Sequence, residues 1–361
     1  HAKGVLVLYR IDGVLHKLIE PPRRMRATLI SRIKVMADMD IAERRKPQDG
    51  RISINIKGRT LDVRVASLPT PYGEKLTLRV VDRSSQALTL TDLGFPPAQL
   101  EEFKKMAILP YGFILVAGPT GSGKSTTLYA TLIHVNDPGK HTITIEDPIE
   151  RRIEGLNQIQ VNPKAGLTFA TGLRALMRND PDIIMVGEIR DRETAQIAVE
   201  SSLTGHLVFS TIHTNDAAGA VTRLVEMGIE PYLVASSLVG VIAQRLVRIL
   251  CPDCKNPVAY TRDQILEMLP DFPLEDDEQE VILYEPVGCK ECHNTGYRGR
   301  IGVFEVLTVT EAVRDAIIKN KPDSEIKKLA ISEGMITLRQ DGLQKVKKGI
   351  TSLQEVGRVI R

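Results

Sequence analysis

The sequence predicts an α/β protein. Its larger part is a mostly parallel sheet with helices on both faces, preceded by a small α+β domain, carrying a tetracysteine element over residues 250–300 and closed by a helical tail from 310 onward. Three observations carry this. A glycine-rich loop, Gly118-Pro119-Thr120-Gly121-Ser122-Gly123-Lys124-Ser125-Thr126, lies between a short apolar run and a helix-like stretch. Beyond it, short β-branched runs alternate with helical segments, the pattern of parallel strands joined by crossover helices. Before it, the chain alternates apolar and polar residues in short runs, as antiparallel strands do.

In chain order, residues 1–20 read as a strand pair, with Val5, Val7 and Tyr9 on one run and Val14 and His16 on the next. The intervening Asp12-Gly13 is a hairpin signal, and Pro21-Pro22 ends the pair. Over 23–38, Met25, Leu29, Ile33 and Met36 recur at helical intervals. Residues 51–57 and 60–66 alternate again around Gly58-Arg59, and 76–81 follow as a third run after the turn 69–73. This is the first domain, residues 1–90, and it shows no active site of its own. Arg51, Arg64 and Arg79 lie on its strands and, read alone, are ordinary surface arginines. Gly94 and Pro96-Pro97 mark the connection, with 91–97 as linker and 98–361 as the second domain, opening with a helix over 98–107.

Phe113-Ile114-Leu115-Val116-Ala117 reads as a buried strand and 127–133 as a helix, so the glycine-rich loop between them is a P-loop. Gly118, Gly121 and Gly123 let backbone N–H groups turn toward phosphate oxygens, with Pro119, Thr120, Ser122 and Thr126 completing the cradle. The helix N-terminus adds partial positive charge. Lys124 is placed to reach the β- and γ-phosphates, and the Ser125 hydroxyl to bind Mg²⁺.

Three later strands end on chemistry. Thr142-Ile143-Thr144-Ile145 runs into Glu146-Asp147-Pro148-Ile149-Glu150. Ile183-Ile184-Met185-Val186 runs into Gly187-Glu188, and Leu207-Val208-Phe209-Ser210 into Thr211 and His213. Ligands of such sheets sit at the carboxyl ends of strands, so these residues read as one site. Glu188 has the reach of a base or orienter for water beyond a γ-phosphate. Glu146, Asp147 and Glu150 form a second acidic cluster, suited to holding Mg²⁺ through water or polarising the nucleophile. Turn and capping chemistry around Pro148 is the competing reading. His206 and His213 fall on opposite faces of a regular strand; His213 is the expected sensor, whereas His206 is equally well structural.

The four cysteines, Cys251, Cys254, Cys289 and Cys292, form two Cys-x-x-Cys hooks separated by 34 residues. That set matches a closed, structural Cys₄ zinc site, with redox or disulfide use as the alternative. Residues 275–278 are an acidic, solvated loop, and 312–319, 323–333 and 337–349 read as helices.

Composition bounds the rest. The chain has 361 residues, 42% hydrophobic and 26% charged, with no apolar run near 18 residues and no secretory leader pattern. A cytosolic location is expected. The first residue is His1 rather than Met, so a fragment lacking its native N-terminus is expected. The net charge of +3 is uneven: residues 1–100 hold 18 Lys and Arg against 10 Asp and Glu, the remainder 30 against 35. A basic first part allows a nucleic-acid or acidic partner, but aromatics at 4% with no Trp disfavour a single-strand stacking platform.

Together the P-loop, Glu146–Glu150, the Asp182–Arg190 stretch (DIIMVGEIR), the Thr204–Asn215 stretch (TGHLVFSTIHTN) and the cysteine hooks resemble the ATPases of the type II secretion and type IV pilus superfamily, over essentially the whole chain. The resemblance implies an ATP hydrolase working as a homo-hexamer, with ATP, Mg²⁺ and zinc. It implies a PAS-like first lobe and a RecA-like second lobe. Within it, arginines of the first lobe reach the γ-phosphate, which falls on Arg64 and Arg79, and Arg174 and Arg178 match arginines near the site or a subunit interface. Branches for type II secretion and pilus extension keep the Cys₄ element and the retraction branch lacks it. Residues 217–224 and 235–238 look closer to the secretion branch. The implied partners are inner-membrane platform proteins, although the further N-terminal domain that docks them is expected to be absent, and no direct nucleic acid is implied. The implied location is cytoplasmic, peripheral to the inner membrane. The rivals are a pilus-extension ATPase, a nucleic-acid motor and a nucleotide-gated zinc adaptor without turnover.

Overall fold

The computed structural model describes residues 4–56, 59–82 and 88–360. The chain divides into two compact units, His1–Ala87 and Leu88–Arg361. Among the described residues no helix is long and apolar enough to cross a membrane.

In the first unit, β1 (Val7–Ile11) and β2 (Val14–Ile19) pair as an antiparallel hairpin. Asp12 and Gly13 both take positive φ at its turn, as the two-residue hairpin requires. Helix α1 (Arg26–Met36) precedes a three-stranded antiparallel sheet of β3 (Gln48–Ile56), β4 (Arg59–Thr70) and β5 (Gly73–Asp82). The expected turn at Gly58-Arg59 falls partly outside the described residues. Strand β4 extends through Pro69. Beyond Ser67 it has only β5 as neighbour, so the missing proline N–H leaves no ladder bond unmade. The expected apolar helix face is largely displaced. Met25 and Met36 are more than 40% exposed, while Lys34 is buried and donates to Glu74 (2.7 Å) and to the Glu43 carbonyl (2.6 Å). The core is Ala37, Met39, Ile52, Val63 and Val65. Residue Gly50 lets that core close, because a Cβ there would lie 2.2 Å from the Ala37 carbonyl oxygen.

In the second unit, a seven-stranded sheet runs in the order β14-β11-β6-β10-β9-β7-β8. Its strands are β6 (Gly112–Ala117), β7 (Thr142–Glu146), β8 (Asn157–Gln160), β9 (Ile183–Val186), β10 (Leu207–Ile212), β11 (Leu238–Leu250) and β14 (Tyr297–Thr308). All neighbours are parallel except β11 and β14. Strand β6 shows why the runs read as continuous apolar: Phe113, Leu115 and Ala117 enter one core, Ile114 and Val116 the other. One face carries α2 (Pro97–Ala107) and α3 (Lys124–Val135). The other carries α4 (Phe169–Leu176), α5 (Arg192–Leu203), α6 (Ala217–Glu226) and α7 (Pro231–Ser237). Strands β12 (Asn256–Thr261) and β13 (Glu280–Glu285), with α8 (Arg262–Met268) between them, lie between the cysteine hooks, and α9 (Glu311–Ile318), α10 (Asp323–Ser332), α11 (Leu338–Lys347) and α12 (Leu353–Val359) end the chain.

The stretch expected as a linker, 91–97, is packed rather than free. Leu93 and Phe95 are buried, and Phe95 stacks on Phe103 and Phe304. Its glycine and prolines shape a tight entry into α2 instead of a flexible joint.

Candidate active site

The P-loop follows β6 and opens α3. Gly118, Gly121 and Gly123 all take positive φ. At Gly118 a Cβ would lie 2.5 Å from Ser122 Oγ and 2.6 Å from the Gln244 carbonyl; at Gly123 it would lie 2.7 Å from Gln244 Nε2. The loop is therefore wedged against β11, and only glycine fits at those two points. Lys124 is buried and donates to the Gly118 and Pro119 carbonyls (2.8 and 3.1 Å). Ser125 and Thr126 face outward from the first turn of α3. The buried Ser122 Oγ has no partner. A glycine-wedged loop over a helix N-terminus, with a buried lysine and an outward serine, fits a nucleotide's phosphates and Mg²⁺.

Backbone bonds align the neighbouring strand ends with this loop. Gly118 N donates to Ile212 O (3.2 Å), Ile189 N to Thr211 O (2.9 Å) and Gly187 N to Ile145 O (2.8 Å). These bonds bring Glu188 beside His213. Glu188 Oε1 takes Arg190 Nη2 at 2.6 Å, and Oε2 lies 3.6 Å from His213 Nε2. Burial pushes the Lys124 ammonium down to about 8, with Glu188 resisting the shift and Arg245 adding to it, so Lys124 feels both charges. Burial and then Lys124 push His213 below its usual range despite Glu188, so its imidazole is neutral at neutral pH. His206 instead turns back on the Ser201 carbonyl (Nδ1 at 2.9 Å), in keeping with the structural reading.

Glu146 ends β7, buried, with Tyr129, Thr144 and Gln158 all donating to its carboxylate. Glu150 follows in the loop, its N–H donating to Tyr129 Oη at 3.1 Å. Arg174 and Arg178 stand in an open groove of about 680 Å³ between α4 and α5. Arg174 pairs with Glu193 at 2.6 Å, and Arg178 donates to the Arg174 carbonyl. In the first unit, Arg51, Arg64 and Arg79 are directly opposite one another on β3, β4 and β5, so they share one sheet face as a row of three guanidinium groups.

Sequence reasoning missed Gln244 and Arg245. Gln244 Oε1 accepts from Thr127 Oγ1 (2.7 Å), and half-buried Arg245 donates to the Asn215 carbonyl (2.7 Å). The signal was present: two adjacent polar residues inside the apolar run 238–250 sit where β11 passes the P-loop.

The four cysteine sulfurs lie within 4.8 Å of one another, and Cys251–Cys289, Cys254–Cys292 and Cys289–Cys292 are at 3.9, 3.8 and 3.7 Å. A tetrahedral site with Zn–S bonds of about 2.3 Å has edges of about 3.8 Å, so the thiols fit zinc. Amide N–H groups of Gly288, Cys289 and Gly296 point at Cys254 and Cys292 sulfurs (3.2–3.3 Å), favouring thiolates.

Residues 2–358 match the family profile of type II/IV secretion system proteins. The type II secretion system protein E of Aeromonas hydrophila is 52% identical, and the type II secretion system ATPase E of Vibrio cholerae 51% identical. Each alignment spans 99% of this chain and 70% of the relative. A type IV pilus assembly ATPase, PilB of Myxococcus xanthus, is 47% identical over 99% of this chain and 63% of its own length. Among solved structures, the pilus retraction motor PilT with bound ADP superposes with a TM-score of 0.63 at 26% identity, covering 99% of this chain and 91% of that one.

Proposed function

Because the chain belongs to the type II/IV secretion system protein family and is an ATP-hydrolysing secretion ATPase, we propose that it converts ATP hydrolysis into pseudopilus assembly and protein export in type II secretion, as a homo-hexamer. The observation that carries the hydrolytic part of this reading is the placing of Glu188 beside His213 at strand ends bonded to the glycine-wedged loop of Lys124.

Lys124 and the amides of 118–124 hold the β- and γ-phosphates. The Ser125 hydroxyl would hold Mg²⁺, which would neutralise phosphate charge there. Glu188 orients or deprotonates the attacking water, with Glu150 assisting; Arg190 fixes one Glu188 oxygen and leaves the other toward His213. His213, held neutral, accepts or donates a hydrogen bond at the γ-phosphate as a sensor. Arg64 and Arg79, presented in register, supply positive charge to the γ-phosphate from a PAS-like first unit, while the second unit is RecA-like. Arg174 and Arg178 line a groove suited to a neighbouring subunit. The Cys₄ cluster binds structural zinc. The protein works in the cytoplasm, at the inner membrane through platform partners.

The pilus-extension reading is the alternative, favoured by the 47% identity to PilB. Complementation decides between them. In a source strain deleted for this gene, the parent gene is expected to restore export of a secreted protein and the Glu188→Gln gene to fail. Restoration of pilus extension without export would transfer the protein to the other machine.

A further inference from the structure

We propose that Glu146 is not a ligand of the metal but the hub of a positioning network, through which Tyr129 and Gln158 set the loop that presents Glu150. The inference rests on the assisting part given to Glu150 above.

The geometry starts from α3. Tyr129 lies one helical turn beyond Ser125, on the same side of the helix. Its hydroxyl is buried, donates its single proton to Glu146 and accepts the Glu150 N–H at 3.1 Å. Burial, reinforced by the Glu146 carboxylate, pushes the phenol far above its ordinary range, so the donor persists at every working pH. Gln158, on edge strand β8, binds the same loop from the other side. Its Nε2 donates to Glu146 (3.0 Å) and to the Arg151 carbonyl (2.8 Å), and its Oε1 accepts the Ile153 N–H (2.8 Å). Thr144 Oγ1 donates to Glu146 at 2.6 Å.

Glu146 thus accepts three protein hydrogen bonds at 4% exposure, and residues 150, 151 and 153 are pinned through side chains that converge on it. A carboxylate engaged in this way has its orientation fixed by donors behind the site. Its negative charge polarises Tyr129 and Gln158 rather than a cation, and a buried network of this kind is rigid only when complete. The middle of the P-loop helix and the acidic loop are thereby tied to one another through the Tyr129 phenol.

The test uses the full chain and steady-state ATP hydrolysis, with ATP and Mg²⁺ varied separately. Tyr129→Phe is expected to lower kcat about tenfold while the KM for ATP stays within about twofold, because only the loop geometry is lost. Half-saturation by Mg²⁺ is expected unchanged in Tyr129→Phe and in Glu146→Gln. The double variant Tyr129→Phe/Glu150→Gln is expected to be no slower than Glu150→Gln alone, since both act through one carboxylate; a general loss of packing would multiply the two effects. Parent kcat in Tyr129→Phe, a Mg²⁺ requirement raised about tenfold in Glu146→Gln, or multiplicative loss in the double variant would each overturn the inference. Parent turnover in Glu150→Gln would instead overturn the reading of Glu150 on which it rests.

Discussion

At the residue scale, Lys124 carries the clearest electrostatic signature. Burial lowers its ammonium from 10.5 to about 8, a shift the Glu188 carboxylate only partly offsets. The sign of the consequence follows. Below pH 8 the free protein already holds the proton that a phosphate ligand needs. Above pH 8 the lysine is mostly neutral, and ATP binding must take a proton up. Affinity for ATP is therefore expected to fall by as much as about tenfold per pH unit above 8, with proton uptake measured by calorimetry in buffers of different ionisation enthalpy. Affinity flat from pH 7 to 10 would mean that the lysine stays charged over that range or is not at the phosphates. Lys34 shows what a local reading cannot see. Its spacing in 23–38 gave no reason to bury it, and the sequence pattern offered Met25 and Met36 instead. Glu74, 40 residues away, and the Glu43 carbonyl supply the charge and the acceptor that make its burial tolerable.

At the element scale, strands followed by helices were legible because β6, β7, β9 and β10 are short apolar runs bounded by functional residues. Strands β11 and β14 were not. β11 spans 13 residues with Gln244, Arg245 and Arg248 inside it, and β14 carries Arg298, Arg300 and Glu305; such polar interruptions hide strand character in sequence. In the fold the buried acid and one of the arginines find long-range partners: Glu305 accepts from Ala217 N and Leu338 N, and Arg248 Nη2 pairs with Glu355 at 2.7 Å. The P-loop and Glu188 were readable since their chemistry is local in sequence, whereas the Gln244 wedge depends on a strand 120 residues later. Strands β12 and β13 form only a two-stranded sheet, held to the main core through Ile265, Phe272, Val281 and Leu283, so the zinc proposed at the cysteines would add a local staple. Chelation of zinc, or Cys254→Ser, is expected to lower the thermal midpoint by several degrees and to expose 250–300 to proteolysis, while metal analysis of untreated protein gives about one zinc per chain. A zinc-free protein of equal stability would remove the staple from this account.

At the scale of the whole molecule, the chain holds two units: the second contains the glycine-wedged loop, and the first a row of arginines set side by side by strand register, which the proposal above assigns to the γ-phosphate. Arg64→Ala is expected to reduce turnover by about tenfold or more with ADP affinity nearly unchanged, because only the γ-phosphate is lost as a partner; equal loss of ADP affinity would place Arg64 elsewhere. The central claim is that strand ends assemble one hydrolytic site around Lys124, with Glu188 acting on water. It is tested most directly by measuring ATP binding and single-turnover hydrolysis in Glu188→Gln. The account predicts ATP affinity within a few-fold of the parent and hydrolysis slowed by about 10²-fold or more. Hydrolysis at the parent rate in that variant would contradict it.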